Sequence, residues 1–245
     1  MRDLRVAMWS GALTEALCMM RAWGNRRDTV VLDDPFYPNY LARRRPGLPG
    51  TIEVLARHPA DTSKIVETIT APAPPSKPLL YMKLTTRYLP PGLDSSWLGR
   101  VTSCFLIRDP RELLALQIRQ RVEPTVERTG LPLQAEIFRQ VSNATGRIPP
   151  VIDAADLQRD PRRVLGLLCD ALDVAFDDAM LSWAPGLRDS DGAWAPRNYR
   201  SVEQLTGFEP HRPIPETLAS DYMKIYLECI EHQKVLYRHR LGAAV

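Results

Sequence analysis

Residues 6–21, Val6-Ala7-Met8-Trp9-Ser10-Gly11-Ala12-Leu13-Thr14-Glu15-Ala16-Leu17-Cys18-Met19-Met20-Arg21, constrain the fold more than any other stretch of the chain. Arg5 to Trp9 is a short, mostly apolar run of the kind that forms a strand buried on both faces. Ser10-Gly11 is a turn signal, and Gly11 permits a sharp bend and close approach of backbone to a ligand. From Glu15 to Trp23 the apolar residues Ala16, Leu17, Met19, Met20 and Trp23 follow helical spacing, and Gly24-Asn25 ends the run. A strand leading through a tight turn into a helix presents free N–H groups and a positive dipole end, which together make an anion site. Ser10, Gly11, Ala12, Leu13 and Thr14 are the candidates to form it.

The side chains of this turn are unusual for phosphate binding, which ordinarily adds a cation and hydroxyls. Leu13 stands where a Lys or Arg is expected, Ala16 and Leu17 replace hydroxyl residues, and only Thr14 remains. Glu15 adds a negative charge at the helix start. It has two readings: it complements the helix dipole, or its carboxylate folds into the cradle and occupies the anion site.

The chain of 245 residues is long enough for a sizeable core and is expected to form one domain over 1–245. Hydrophobic residues at 44% and charged residues at 25% are those of a soluble globular protein. A net charge of +3 is too small to argue for nucleic acid, and the clusters Arg26-Arg27 and Arg43-Arg44-Arg45 read as solvated helix ends. Cys18, Cys104, Cys169 and Cys229 show neither metal spacing nor a paired framework, and read as core residues in a reducing compartment. The start runs directly into the first strand without a secretory apolar segment, and no apolar run reaches the ~20 residues of a membrane span. These features lead to the expectation of a cytoplasmic protein with no metal, membrane or nucleic-acid partner. The four histidines, His58, His211, His232 and His239, suit no zinc site and are expected at the surface.

Further strands are expected over Thr29 to Leu32, Leu79 to Lys83, Thr102 to Ile107 and Pro150 to Asp153. Helices are expected over Phe36 to Arg44, Asp61 to Thr70, Pro110 to Gln120, Leu131 to Asn143, Asp160 to Leu172 and Pro215 to Arg240. Residues 45–50 read as a loop, and Ala184 to Pro213 as a loop-rich segment. The alternation defines an α/β class with a mostly parallel central sheet flanked by helices. Ligands bind such sheets at the carboxyl ends of the strands. The Ser10–Glu15 turn, Asp33-Asp34, Lys83 and Arg108 would converge there.

Each of these charged residues has a structural alternative. Asp34 or Asp33 is either a general base or a cap ahead of Pro35-Phe36-Tyr37. Lys83 either contacts a ligand oxygen or ends its strand in solvent. Arg108 either holds a ligand or pairs with Asp109 or Glu112. Trp9, Trp183, Trp194 and Tyr199 are candidate pocket walls, with core packing the expected role of at least two.

In this order and spacing the chain resembles the P-loop sulfotransferase superfamily, and is most similar to small bacterial sulfotransferase-like proteins. The resemblance spans nearly the whole length. It rests on Met8-Trp9-Ser10-Gly11, Arg21-Ala22-Trp23-Gly24-Asn25-Arg26, Asp33-Asp34-Pro35-Phe36-Tyr37 and Cys104-Phe105-Leu106-Ile107-Arg108-Asp109-Pro110-Arg111-Glu112. Val151-Ile152-Asp153-Ala154, Met180-Leu181-Ser182-Trp183, Asp191-Gly192-Ala193-Trp194 and Thr206-Gly207-Phe208 continue it. It implies a three-layer P-loop NTPase-like fold. It also implies sulfuryl transfer from 3′-phosphoadenosine 5′-phosphosulfate to a small-molecule hydroxyl or amine, a reaction governed by positioning and charge.

Carried over by residue, Ser10, Gly11, Ala12, Leu13 and Thr14 correspond to the loop that holds the phosphosulfate, and Arg108 to the arginine on the 3′-phosphate. A serine eight positions later in the family is Leu116 here. Arg188 and Gly192 fall in the loop that closes over the nucleotide. Where many members carry a basic histidine this chain has Lys83-Leu84-Thr85-Thr86-Arg87-Tyr88, which leaves Asp34 and Lys83 as the catalytic candidates. Losing several charge-assisted bonds, at ~1.5–3 kcal/mol each, removes most donor affinity. Two readings follow: a sulfotransferase acting on a small molecule, or a non-catalytic or repurposed relative that binds a small molecule or a protein.

Overall fold

A computed structural model describes residues 3–11, 13–44, 47–48, 50–200, 202–212 and 218–242. The chain opens with β1 (Leu4–Ser10), α1 (Thr14–Gly24), β2 (Thr29–Asp33), α2 (Tyr37–Arg44), α3 (Thr51–Arg57), α4 (Thr62–Thr70) and β3 (Leu79–Thr85). After two 3₁₀ turns, Thr86–Tyr88 and Ser96–Arg100, it continues with β4 (Thr102–Ile107), α5 (Pro110–Arg119), α6 (Val126–Thr129), α7 (Leu131–Thr145) and β5 (Val151–Asp153). It then runs through α8 (Ala154–Arg159), α9 (Pro161–Ala171), α10 (Ala195–Asn198) and α11 (Met223–Tyr237).

The strands form one sheet of order β2-β3-β1-β4-β5, parallel at every pairing. The period of two places alternate side chains in two separate cores. Val6, Met8, Tyr81, Cys104, Leu106 and Ile152 face one core, with α1, α8 and α9 packed on it. Ala7, Trp9, Leu80, Met82, Phe105 and Ile107 face the other, covered by α4 and α7. β1 is therefore buried on both faces, as its apolar run requires. The result is the three-layer α/β architecture expected from the alternation of elements.

Local signals set several boundaries. Asp109 caps α5 by accepting from Arg111 N at 2.7 Å, with Pro110 in the first turn. Asp160 caps α9 and Asp61 caps α4 in the same way. The structure adds α3, α6, α8 and α10, which the sequence pattern does not reveal because each is only two turns or less. The C-terminal helix expected from Pro215 is shorter, beginning at Met223 after a 3₁₀ turn at Ser220–Tyr222; residues 213–217 lie outside the described residues, as do positions 45, 46 and 49 of the expected loop. Arg26 is not a solvated helix end. It is 5% exposed, pairs with Asp28 at 2.8 Å and donates to the Ala175 carbonyl at 2.8 Å.

Gly130, between α6 and α7, has φ +78°, and a Cβ there would lie 2.6 Å from Thr86 Oγ1 and 3.4 Å from Gly11 Cα. Gly11 in turn has the Thr129 carbonyl oxygen 2.7 Å from its own Cβ position. The α6–α7 corner thus sits directly on the turn after β1. Gly130→Ala should lose more than ~1 kcal/mol from strain at positive φ and from this clash. A urea midpoint lowered at unchanged slope would show it.

Candidate functional site

Ser10, Asp33, Thr85 and Ile107 end four neighbouring parallel strands on one edge of the sheet. The parallel register therefore brings the turn after β1, Asp33-Asp34, Lys83 and Arg108 to one place. Two cavities open there among the described residues, of about 610 Å³ and about 240 Å³, and Thr14 and Leu116 line both. The candidates are divided between them: Leu13, Asp34 and Lys83 line the larger cavity, Glu15 and Arg108 the smaller.

Lys83 does not end its strand in solvent. Asp33 and Lys83 are direct cross-strand partners in β2 and β3, and Lys83 is 5% exposed. Its Nζ lies 3.1 Å from Asp33 Oδ1 and bonds to Asp34 Oδ2. Asp34 also accepts from Thr85 N at 2.6 Å and Thr85 Oγ1 at 3.0 Å. It is not a helix cap; it bends away from β2 at φ +39°, a left-handed conformation uncommon outside glycine and found at sites where surrounding contacts hold it. Asp33 accepts from Tyr199 OH at 2.5 Å and from Gly192 N at 3.1 Å. Trp194 Nε1 donates to the same Tyr199 hydroxyl at 3.2 Å.

This cluster holds two carboxylates against one ammonium. Burial alone would lower the Lys83 pKa, but Asp33 and Asp34 overturn that and hold it well above its ordinary value. Burial, with the Asp33 charge beside it, pushes the Asp34 carboxyl up despite Lys83. Burial also raises the Tyr199 phenol, which stays a proton donor. Asp34 is thus the carboxylate of the group best placed to carry a proton at the floor of the larger cavity.

Arg108 leaves β4 immediately before α5. It pairs with Glu112 rather than with Asp109, Nε to Oε2 at 2.5 Å. Its Nη1 also reaches both oxygens of Glu15, at 2.9 and 3.0 Å. Gln158 Nε2 donates to Glu15 Oε1 at 2.9 Å, and Gln158 Oε1 lies 3.2 Å from His211 Nδ1. His211 Nε2 is 3.7 Å from Glu112 Oε1. Five side chains therefore form a closed ring, Arg108–Glu15–Gln158–His211–Glu112. Glu15 lies in the first turn of α1, and its carboxylate turns to Arg108 and Gln158; no hydrogen bond from it to the backbone of the turn after β1 occurs among the described residues.

The other candidates fall as follows. Ser10 is fully buried, and its Oγ has no hydrogen-bond partner among the described residues. Gly11 serves close packing against Thr129 rather than approach to a ligand. Ala12 lies outside the described residues. Leu13 offers no capping oxygen to α1. Arg188 lines neither cavity; it lies near Gly24 at the far end of α1, about 15 Å along the helix from Thr14. It is held there because Asp191 accepts from Arg188 N at 2.9 Å while pairing with both Nη atoms of buried Arg21.

The four histidines are half-buried, and three of them, His58, His211 and His239, make specific contacts. His58 accepts from Ala193 N at 3.2 Å and packs on Trp194, and burial lowers its pKa. His239 stacks on Phe138. Trp9 and Trp183 are core residues, whereas Trp194 and Tyr199 line the larger cavity. Tyr37, Tyr88 and Arg87 line it as well; the run 83–88 contains the last two but offers no local sign of their direction. The four cysteines are free and buried, and no group of three metal-ligating side chains occurs among the described residues. No helix among them is long and apolar enough to cross a membrane.

The all-parallel sheet carries a strand–turn–helix corner at its central strand and an arginine at the end of the next strand, an α/β architecture with its charged residues gathered at one edge. A family profile for the sulfotransferase domain matches residues 4–235, and the chain belongs to that family. Among curated proteins it is similar to branched-chain-amino-acid aminotransferase-like protein 1 of Arabidopsis thaliana, 30% identical over 231 residues, covering 94% of this chain and 41% of that protein. The aminotransferase-like protein 2 of the same plant is 29% identical over 232 residues with the same coverage. The chain thus spans less than half the length of these relatives. Among solved structures, the sulfotransferase domain from the Synechococcus PCC 7002 olefin synthase aligns with TM-score 0.50 and 15% identity, covering 93% of this chain and 95% of that one. The sulfotransferase domain from the curacin biosynthetic pathway aligns with TM-score 0.50 and 16% identity, covering 93% and 98%. At such identities these two define the fold.

Proposed function

We propose that this chain is a repurposed member of the sulfotransferase family, which binds a small organic molecule in the 610 Å³ cavity and does not hold 3′-phosphoadenosine 5′-phosphosulfate at the turn after β1. The observation that carries this reading is the ring around Arg108. The arginine that corresponds to the 3′-phosphate contact already donates to two carboxylates, one of them on the helix whose N-terminus would face the phosphosulfate. A phosphate entering here meets two negative charges and must break charge-assisted bonds worth ~1.5–3 kcal/mol each.

The residues present do not fit the donor in three further respects. Only positions 11–13 connect β1 to α1, fewer than the wrapped turn of a phosphate loop. Thr129 and Gly130 cover Gly11. Leu116, lining both cavities, supplies no hydroxyl. A second reading, sulfuryl transfer to a hydroxyl or amine, is favoured by one feature: Asp34, its carboxyl raised by burial, faces the cavity beside Lys83.

Calorimetric titration with adenosine 3′,5′-bisphosphate separates the two. No heat of binding is expected at millimolar ligand. Micromolar binding that Arg108→Ala abolishes would overturn the proposal in favour of the transferase reading.

A further inference from the structure

We propose that Arg87 is the anchor for the acidic group of the cavity's ligand, and that this ligand is a small carboxylic acid with an aromatic body. The inference rests on the small-molecule reading above and names the chemistry of the molecule.

Cations around the strand ends are largely spent. Lys83 is held by Asp33 and Asp34, Arg108 by Glu15 and Glu112, and Arg21 by Asp191. Arg87, in the 3₁₀ turn after β3, differs. Its residue is exposed, it lines the 610 Å³ cavity, and no carboxylate pairs with it among the described residues. Nη2 donates to Tyr88 OH at 3.1 Å, and the guanidinium lies 5.0 Å from the centroid of the Tyr88 ring. One of five N–H donors is thus used in a hydrogen bond, and the stacking restrains the fork. A planar carboxylate matches what remains.

The charge and shape of the cavity agree. The charged side chains on its lining are Lys83, Arg87 and Asp34; Lys83 is taken up by Asp34 and by Asp33 behind it, which leaves Arg87 as the lining cation with no carboxylate partner among the described residues. One wall is aromatic. Tyr37 lies 4.8 Å from Tyr88 and 4.8 Å from Trp194, centroid to centroid. Leu13, Leu17 and Val202 add apolar surface. An acid seated on Arg87 would lay its body against Tyr37 and Trp194 and direct its far end toward Asp34.

The test is saturation-transfer NMR on the full chain with phenylacetate and 3-phenylpropanoate, each beside its neutral primary amide. The acids should bind at least about tenfold more tightly than the amides, the equivalent of one modest charge-assisted contact. Arg87→Gln should remove that preference, and Arg87→Lys should restore part of it. Equal binding of acid and amide, or a preference that survives Arg87→Gln, overturns the anchor and leaves the small-molecule reading standing. Absence of binding by all four compounds at roughly 10 mM overturns both.

Discussion

Replacing Lys83 with methionine is expected to destabilise the protein by about 3–5 kcal/mol near neutral pH, because it leaves Asp33 and Asp34 buried beside each other without their cation. For a chain of this length that is a fall in melting temperature of roughly 6–20 °C. The long apolar side chain of methionine fills much of the same space, so the loss reflects charge rather than a cavity. The pH dependence distinguishes this from a packing defect. Without Lys83 the carboxyl groups keep the burial that already raises Asp34, and lose the charge that opposes it. A carboxyl with a folded pKa above its unfolded value of ~3.9 stabilises fully below that value, and the contribution disappears as pH rises through the folded pKa. The deficit of Lys83→Met relative to the parent chain should therefore shrink between pH 8 and about pH 4.5. Urea titrations of both proteins at the two pH values measure it. A deficit of equal size at both would show that Asp34 and Asp33 do not carry the effect.

The second large effect is a gain. Glu15→Gln with Glu112→Gln removes both charges from Arg108 while keeping the shape of the ring. The freed guanidinium faces the 240 Å³ cavity, with Arg119 and Arg212 also on its lining. Adenosine 3′,5′-bisphosphate should then bind, with affinity raised by at least about tenfold to a hundredfold over the parent chain, since one phosphate contact to a freed arginine is worth ~1.5–3 kcal/mol. Adding Arg108→Met should abolish the gain. Thermal stability gives a second readout. The double variant leaves a largely buried guanidinium unpaired and should melt lower, and the nucleotide should recover part of that loss by mass action. If titration of the double variant stays flat, the ring is a structural staple and not a stand-in for phosphate.

Much of the fold was legible because its signals are local. The bounds of β4 follow from an apolar run closed by Arg108-Asp109-Pro110, and α5 starts where Pro110 and a capping aspartate require it. Trp9, Leu80 and Phe105 alternate with Met8, Tyr81 and Cys104, so two buried faces follow from the period of a strand. The short helices α3, α6, α8 and α10 escaped because one or two turns carry too little periodicity to register. Of the site, the missing phosphate-binding side chains at Leu13, Ala16 and Leu17 were visible from the residues alone, as was the negative charge of Glu15.

What the sequence determined by itself is the succession of strands and helices, the edge of the sheet to which the charged residues come, and the poverty of the first turn in phosphate contacts. Each follows from short-range pattern and from chain direction in a parallel sheet. Only the tertiary structure decided how the charges are spent. Lys83 is buried because the register sets it opposite Asp33, and Tyr199 closes over the pair from 116 positions away. Glu15 meets Arg108 across 93 positions, and Gln158 meets Glu15 across 143. A charged side chain takes whichever partner folding brings within a few ångströms, since burial makes an unpaired charge far more costly than any local preference. The same accounting leaves Arg87 facing the cavity with no carboxylate partner among the described residues.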